Sequence, residues 1–447
     1  MESPQRVGAV REWGDSIRAG AVVDDSARPF EGIRIVEFGQ FVAVPFAAQL
    51  LGEGGAHVIK IEALEGDPTR RLSPIAPHES RTFISRNRNK HSLPLALSDP
   101  GARPVIDALL EWADVILTNF RPGLAEKLGL DYTSLSARYR RLIVGAVSPF
   151  GKAGPDAGLA GMDIVVQARS GLMAANGRLI EGRPAPGDPV SADYMCAMSL
   201  AFGVSSALLR RERTGRGGSV DVSLMQAAMT LANNQLVRSE QHDAERHREV
   251  RAELAKKRAA NAPFAEQMEV IPSARAMPLL KVYFRTYETA DLTIAVACGS
   301  QKLRESFVEV TGLDDPGLFE TDLSGWGERY DALQAEAEAL FRTRTAEDWV
   351  ATFSAAGVPV SAVQFPLELF EDDQATANGM FHVLPHPTAG DITVLAPPVQ
   401  IDGDGFKAGY PIAAFGSETE ALLGEIGIDA GEAAALIDAG VTHKGRQ

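Results

Sequence analysis

From Gly32 onward, apolar and polar positions fall into short blocks that switch repeatedly between strand and helix character. Ile33–Phe38 is a strand-like apolar run, and Pro45–Leu51 reads as a helix, with Pro45 suited to a first helical turn. Gly54 and Gly55 end that helix, and His57–Glu62 is a second strand. A strand, helix and strand in this order form a βαβ unit and predict a parallel sheet. The alternation continues with Ser92–Leu97 as strand, Pro104–Trp112 as helix, and Val115–Asn119 and Leu142–Ser148 as strands. Ser191–Arg211 then reads as a long helix rich in Ala, Ser and Gly. The expected class is α/β, a Rossmann-like large domain with a parallel sheet plus a smaller α/β domain.

This pattern resembles a nucleotide fold, yet the dinucleotide fingerprint is missing from its usual place. Glycines belong between the first strand and the first helix, where this chain reads Gly39-Gln40-Phe41-Val42-Ala43-Val44. A nicotinamide or flavin dehydrogenase is therefore not expected. The charge-dense stretch Arg238–Arg258 and the irregular run to Pro278 mark a linker. Beyond it, Tyr283–Phe353 reads as the second domain, with Leu292–Val296 as a strand followed by helices. After Gly357 short strands and turns alternate, and a helix over Glu418–Ile426 is expected with Ser417 as N-cap. The resulting division is an N-terminal extension over 1–29, a large domain over 30–235, a linker over 236–280, a small domain over 281–357, and a return to the large domain over 358–447. No internal repeat stands out.

Composition narrows the class. Of the 447 residues, 45% are apolar and 23% charged, ordinary for a globular enzyme, and the length favours two domains. No run of about 18 uncharged apolar residues is present, so no membrane span is expected. Two cysteines, Cys196 and Cys298, exclude a disulfide framework and a cysteine zinc site and fit a cytoplasmic protein. A formal net charge of −15 disfavours nucleic acid and anionic membranes as partners. An acidic ligand would need a local basic pocket, and Arg70, Arg71, Arg81, Arg86, Arg88, Lys90 and His91 offer one; a solvated arginine-rich loop is the plainer reading.

Candidate chemistry is sparse. His382 and His386 have a helical metal spacing, but Pro385 between them bars a helix, so a surface loop is expected and no metal site. The G-x-S-x-G elbow of serine hydrolases is absent. Asp163 and Asp193 each stand at the start of a helical run. Both read as N-caps, or as carboxylates kept ionised by a helix N-terminus and able to act as a nucleophile. The residues alone do not choose between the two.

A series of ordered motifs does. Phe30–Phe38 (FEGIRIVEF), Gly55–Glu62 (GAHVIKIE), Gly66–Arg70 (GDPTR) and Asn87–Ser92 (NRNKHS) come first. Ala113–Gly123 (ADVILTNFRPG), Leu128–Leu130, Gly161–Asp163 and Arg210–Gly217 (RRERTGRG) follow. In this series the chain resembles the family III CoA-transferases, the group containing formyl-CoA transferase, carnitine CoA-transferase and α-methylacyl-CoA racemase. The likeness runs over roughly residues 30 to 230 and is looser in the C-terminal third.

The resemblance implies an interlocked homodimer that moves CoA from an acyl-CoA donor to a carboxylic acid acceptor. It implies no permanently bound cofactor, the CoA thioester itself being a substrate. The family's nucleophilic aspartate follows a Pro/Gly-rich turn and starts a helix, which Pro189-Val190-Ser191-Ala192-Asp193 matches, so the role falls to Asp193. Asn119, Phe120, Arg121 and Lys127 would lie along CoA, and Leu95, Ala96 and Leu97 would flank the adenine. Val42, Ala43, Ala160, Gly161, Met162 and Asp163 would line the path to the thioester. Ala63 departs from an arginine that many members carry, and Val42 and Val44 replace polar and glycine residues around the acyl group of formyl-CoA transferase. A larger or more apolar acyl group is therefore implied. The alternatives are a racemase on the same fold, which needs a histidine where Met162 stands, and a non-catalytic CoA-binding protein.

Overall fold

Strand β1 (Arg34–Glu37) is apolar at consecutive positions because both of its faces are covered. Ile35 packs into one hydrophobic core and Val36 into another, on opposite sides of the sheet. The same division recurs in β2 (His57–Glu62), where Val58 and Ile59 face opposite cores, and it sets the architecture of the first half of the chain. Strands β3 (His91–Pro94), β4 (Val115–Thr118), β5 (Ile143–Ser148) and β6 (Gly218–Ser223) complete a six-stranded sheet in the order β3-β2-β1-β4-β5-β6. Every pairing within it is parallel.

The structure is a computed structural model that describes residues 28–187, 189–271, 277–320, 323 and 325–445. The extension expected over 1–29 lies almost wholly outside the described residues, as does 272–276 of the expected linker.

One face of the sheet is covered by α1 (Ala43–Glu53), α6 (Ser191–Thr214) and α7 (Leu224–Leu231). The other is covered by α3 (Arg103–Trp112) and the C-terminal helices α9 (Thr419–Glu425) and α10 (Ala430–Asp438). Three further short elements matter below, namely α2 (Arg81–Asn87), α4 (Leu124–Leu128) and α5 (Asp163–Ser170). Helix α6 is long and apolar enough to cross a membrane by composition, but it buries Cys196, Leu200, Val204 and Leu208 in the core of this unit.

The chain divides into two compact units. The first comprises the residues up to Ile180, then Pro184–Arg238, and the chain from Gly379 onward. The second comprises Glu181–Arg183 and Ser239–Asn378. Two expected boundaries move accordingly. The stretch expected as linker contains α8 (Glu240–Ala259), a regular helix capped by Ser239 and assigned to the second unit. The return to the first unit comes at Gly379 and not at 358, because β9 (Val360–Ala362) pairs antiparallel with β8 (Thr293–Ala297), itself paired with β7 (Phe284–Glu288). An aromatic cluster holds this second unit, with the Tyr287 and Phe341 rings stacked at 4.1 Å.

Two smaller expectations also change. Glu418, not Ser417, precedes α9, and no side chain caps that helix. His382 and His386 lie on strand β10 (Phe381–His386), hydrogen-bonded along a hairpin to β11 (Gly390–Leu395), and not in a loop. Pro385 is tolerated there because β10 belongs to a two-stranded sheet and is free of a second partner strand.

Of the basic stretch, Arg71 and Arg81 are exposed, whereas Arg70, Arg88 and Lys90 are buried in ion pairs and not in a ligand pocket. Lys60 and Lys90 are fully buried on either side of Glu37, at 2.8 and 2.7 Å from its two carboxylate oxygens. Lys60 also pairs with Asp67 at 3.1 Å, and Arg70 is held between Glu62 and Glu79. Arg88 pairs with Glu53. Removing one partner leaves a buried charge without compensation, which costs about 3–5 kcal/mol. Lys60→Met is therefore expected to lower the unfolding free energy by about that amount, read by chemical denaturation, whereas truncation of the exposed Lys127 should leave it within about 0.5 kcal/mol.

Candidate active site

The carboxyl ends of the parallel strands open on a cavity of about 1030 Å³. The chain runs outward from β1 through β2 to β3, then returns to β4 beside β1 and runs the other way to β6. Between β1 and β4 the connections diverge, which leaves a crevice where α/β sheets bind ligands. Leu95–Ser98, following β3, line one end of the cavity, and Ile61 of β2 with Ala63, Leu64 and Glu65 after it come next. Phe38, Gln40, Phe41 and Ala43 follow β1, and Asn119–Pro122 follow β4 with Leu124 and Leu128 of α4. Val147 and Ser148 of β5 with Pro149 after it, Ala160–Met162, Val165 of α5, Asp193 of α6 and Leu224 of α7 close the other end.

At the divergence point Asn119 ties the two strand ends together. Its side-chain amide donates to the Gln40 carbonyl at 2.7 Å, and its oxygen accepts the Gln40 N–H at 3.0 Å. The β1–α1 turn is tight. A Cβ on Gly39 would lie 2.2 Å from a Val44 methyl, and Phe41 holds a left-handed φ of 67° that a bulky residue rarely adopts.

Asp193 lies in the first turn of α6 and is half-buried in the cavity wall. Its carboxyl group is pushed up to about 7, chiefly by burial, then by the charge of Asp163, with Arg86 opposing. Neither aspartate caps its own helix. Asp163 instead accepts the Asp193 N–H at 3.1 Å and, through its second oxygen, the Gln167 side-chain amide. Gln167 in turn accepts the Gly187 N–H at 3.2 Å. Helix-terminus stabilisation thus does not hold Asp193 low. Arg86 of α2 donates to the Tyr194 hydroxyl at 3.3 Å beside it.

Of the residues singled out in the sequence, Ala43, Leu95, Ala96, Leu97, Asn119, Phe120, Arg121, Met162 and Asp193 line this one cavity. Three do not. Val42 is buried beneath the turn, Asp163 is buried behind Asp193, and Lys127 is exposed on α4 between the lining residues Leu124 and Leu128. Leu95–Leu97 lie beyond the end of β3 rather than within a strand. Val44, like Val42, is core and not cavity wall. The sequence reading missed Gln40, Phe41, Val165 and Leu224 as wall residues. For Gln40, Phe41 and Leu224 the available signal was position, since each lies within a few residues of the carboxyl end of a parallel strand.

Comparison with known proteins agrees with this geometry. The family model described as CoA-transferase family III matches residues 30–412. The chain belongs to that family. It is 27% identical over 393 residues to the cinnamoyl-CoA:phenyllactate CoA-transferase of Clostridium sporogenes, covering 84% of this chain and 88% of the relative. It is 29% identical to the acetyl-CoA:oxalate CoA-transferase of Acetobacter aceti, covering 84% and 90%. The crystal structure of Rv3272 from M. tuberculosis superposes with a TM-score of 0.70 at 27% identity, covering 88% of this chain and 99% of that one. A CaiB/BaiF family protein from Brucella suis gives 0.69 at 25% identity, covering 90% and 100%. The enzyme is thus a family III CoA-transferase, and the Rossmann-like fold expected from the sequence stands.

In this CoA-transferase Asp163 is a positioning residue for the α6 terminus. Asp163→Ala should cost about 1–3 kcal/mol of stability through the lost hydrogen bonds, measured by denaturation. It should also lower the Asp193 titration, read by carboxyl NMR, because a like charge is removed.

Proposed function

We propose that this enzyme exchanges CoA between carboxylic acids through covalent intermediates on Asp193. The reading is carried by one observation: Asp193 is a half-buried carboxylate in the wall of the strand-end cavity, without a hydrogen-bond donor to its carboxyl group among the described residues. Burial makes its anion more basic than an ordinary aspartate, and a more basic carboxylate is a better nucleophile.

The Asp193 anion attacks the thioester carbonyl of the donor. The C–S bond breaks, CoA leaves as thiolate, and a mixed anhydride of Asp193 and the donor acid remains. The thiolate attacks the aspartyl carbonyl, giving an aspartyl-CoA thioester and releasing the donor carboxylate. The acceptor carboxylate attacks that thioester, freeing the thiolate and forming a second anhydride. Thiolate attack on the acceptor's carbonyl then yields the new acyl-CoA and restores Asp193. The long cavity supports this scheme, since Leu95–Leu97 and Asn119–Arg121 line its far end and leave room there for the CoA moiety, with Lys127 reaching a phosphate. Only the shared chemistry, a CoA thioester and a carboxylic acid, is carried over from the relatives, whose named acids range from oxalate to phenyllactate. Met162 in the wall offers a thioether and no exchangeable proton, which weighs against a racemase. The buried free thiols of Cys196 and Cys298 fit a cytoplasmic location.

Asp193→Asn is expected to abolish transfer while retaining the fold and CoA-ester binding. Hydroxylamine should trap the wild-type intermediate at Asp193, read by peptide mass spectrometry. Asp193 must be deprotonated to attack, so kcat/KM for the donor should fall about tenfold per unit as pH drops below about 7 and level off above it. Turnover in Asp193→Asn near the wild-type rate would remove the residue from the reaction.

We also propose a homodimer. Met198, Phe202 and Leu209 lie on one face of α6 and are exposed, Phe202 by 75%. Sedimentation at micromolar concentration should give the mass of two chains, and a monomer there would refute the proposal.

A further inference from the structure

The Asp193 end of the cavity differs in chemistry from the rest. The sheet order places β5 and β6 on the side away from β2 and β3, so Val147 of β5 and Leu224, which follows β6, belong to that end with Met162, Val165 and Asp193. Met162 and Val165 are three residues apart at the start of α5 and present one apolar face. They are 55% and 50% exposed although they line a cavity, which leaves apolar surface for a ligand to cover.

Charge points the same way. The charged side chains in the cavity wall are Glu65, Arg121 and Asp193. Glu65 follows β2 and Arg121 follows β4, whereas Asp193 stands with the β5 and β6 group. Arg86, whose charge reaches Asp193, is turned to the Tyr194 hydroxyl and is not part of the wall. Ser148, the polar side chain at this end, accepts the Gly151 N–H at 3.1 Å. A second carboxylate on the acyl group would meet Asp193 there and, among the described residues of the wall, no cation at that end. A carboxylate desolvated beside a like charge is strongly disfavoured.

We propose that this site selects acyl groups with an uncharged hydrocarbon chain, with Met162, Val165 and Leu224 as the residues that determine specificity. The inference rests on the reading that the thioester is presented to Asp193. It is tested separately from the chemistry with non-transferable thioethers, S-hexyl-CoA and its analogue bearing a terminal carboxylate, titrated calorimetrically against the whole enzyme. Wild type should bind the hexyl compound at least about tenfold more tightly, the discrimination of one unmatched charge. Met162→Lys and Val165→Lys, both at exposed positions, should each shift the ratio by about tenfold toward the carboxylated analogue. Equal binding of the two compounds by wild type, or tighter binding of the carboxylated one, overturns the proposal. Turnover then isolates the other reading. A preserved hexyl preference with no transfer from hexanoyl-CoA to any acid would refute Asp193 chemistry and leave the acyl preference standing.

Discussion

The buried charges around Glu37 are the constraint on which the active-site end of the sheet depends. Glu37 is the last residue of the central strand and is fully buried, with an ammonium group against each carboxylate oxygen. Such an arrangement is weak evidence for added stability, because desolvation of the ions offsets much of their attraction. Its consequence here is geometric. Lys60 donates to the Gly39 carbonyl at 2.7 Å, and Lys90 donates to the Pro45 carbonyl at 2.7 Å. The two lysines therefore grip the β1–α1 turn at both ends, and Asn119 holds both backbone groups of Gln40 between them. Phe41 can keep its left-handed backbone only because its neighbours are fixed on either side.

That clamp also explains how a Rossmann-type strand order serves a different ligand. A dinucleotide site needs a glycine-rich turn whose backbone can approach a pyrophosphate. In this chain the same turn is closed by the contact between Gly39 and Val44, and Phe41 projects a side chain where the fingerprint would have none. The crevice between β1 and β4 survives, but it is lined by side chains and not by bare amides.

The parts of this arrangement that were legible in the sequence are those encoded locally. Alternating apolar blocks point to the parallel sheet, because its inner strands are covered on both faces and helices lie in the crossovers. Ordered motifs and the turn before Asp193 mark the family and the aspartate. What escaped is pairing over distance. Lys90 reads as a surface cation until Glu37 is found beside it, 53 positions earlier in the chain. Arg88 has its partner 35 residues away and Asp163 its partner 30 away. The end of the second unit was missed for the same reason, since β9 is assigned by its pairing with β8 and not by its own three residues.

Two aspartates thirty positions apart illustrate how such pairing divides roles that the sequence left equal. Both stand near helix starts, where the helix dipole favours a negative charge. Asp163 is buried and uses both oxygens as acceptors, one for the α6 backbone and one for Gln167. Each Asp163 oxygen is thus already engaged by a donor of the protein itself. Asp193 has the opposite environment, with burial and a neighbouring negative charge and no donor among the described residues. Both influences raise the energy of its anion, the condition under which a carboxylate gains most by forming a bond to carbon. The first aspartate fixes where the second stands and, by its charge, makes it more basic. An Asp163→Asn change would keep the shape of the pair while weakening the backbone anchor and the like-charge contribution together, and burial, the larger cause, would still hold Asp193 raised.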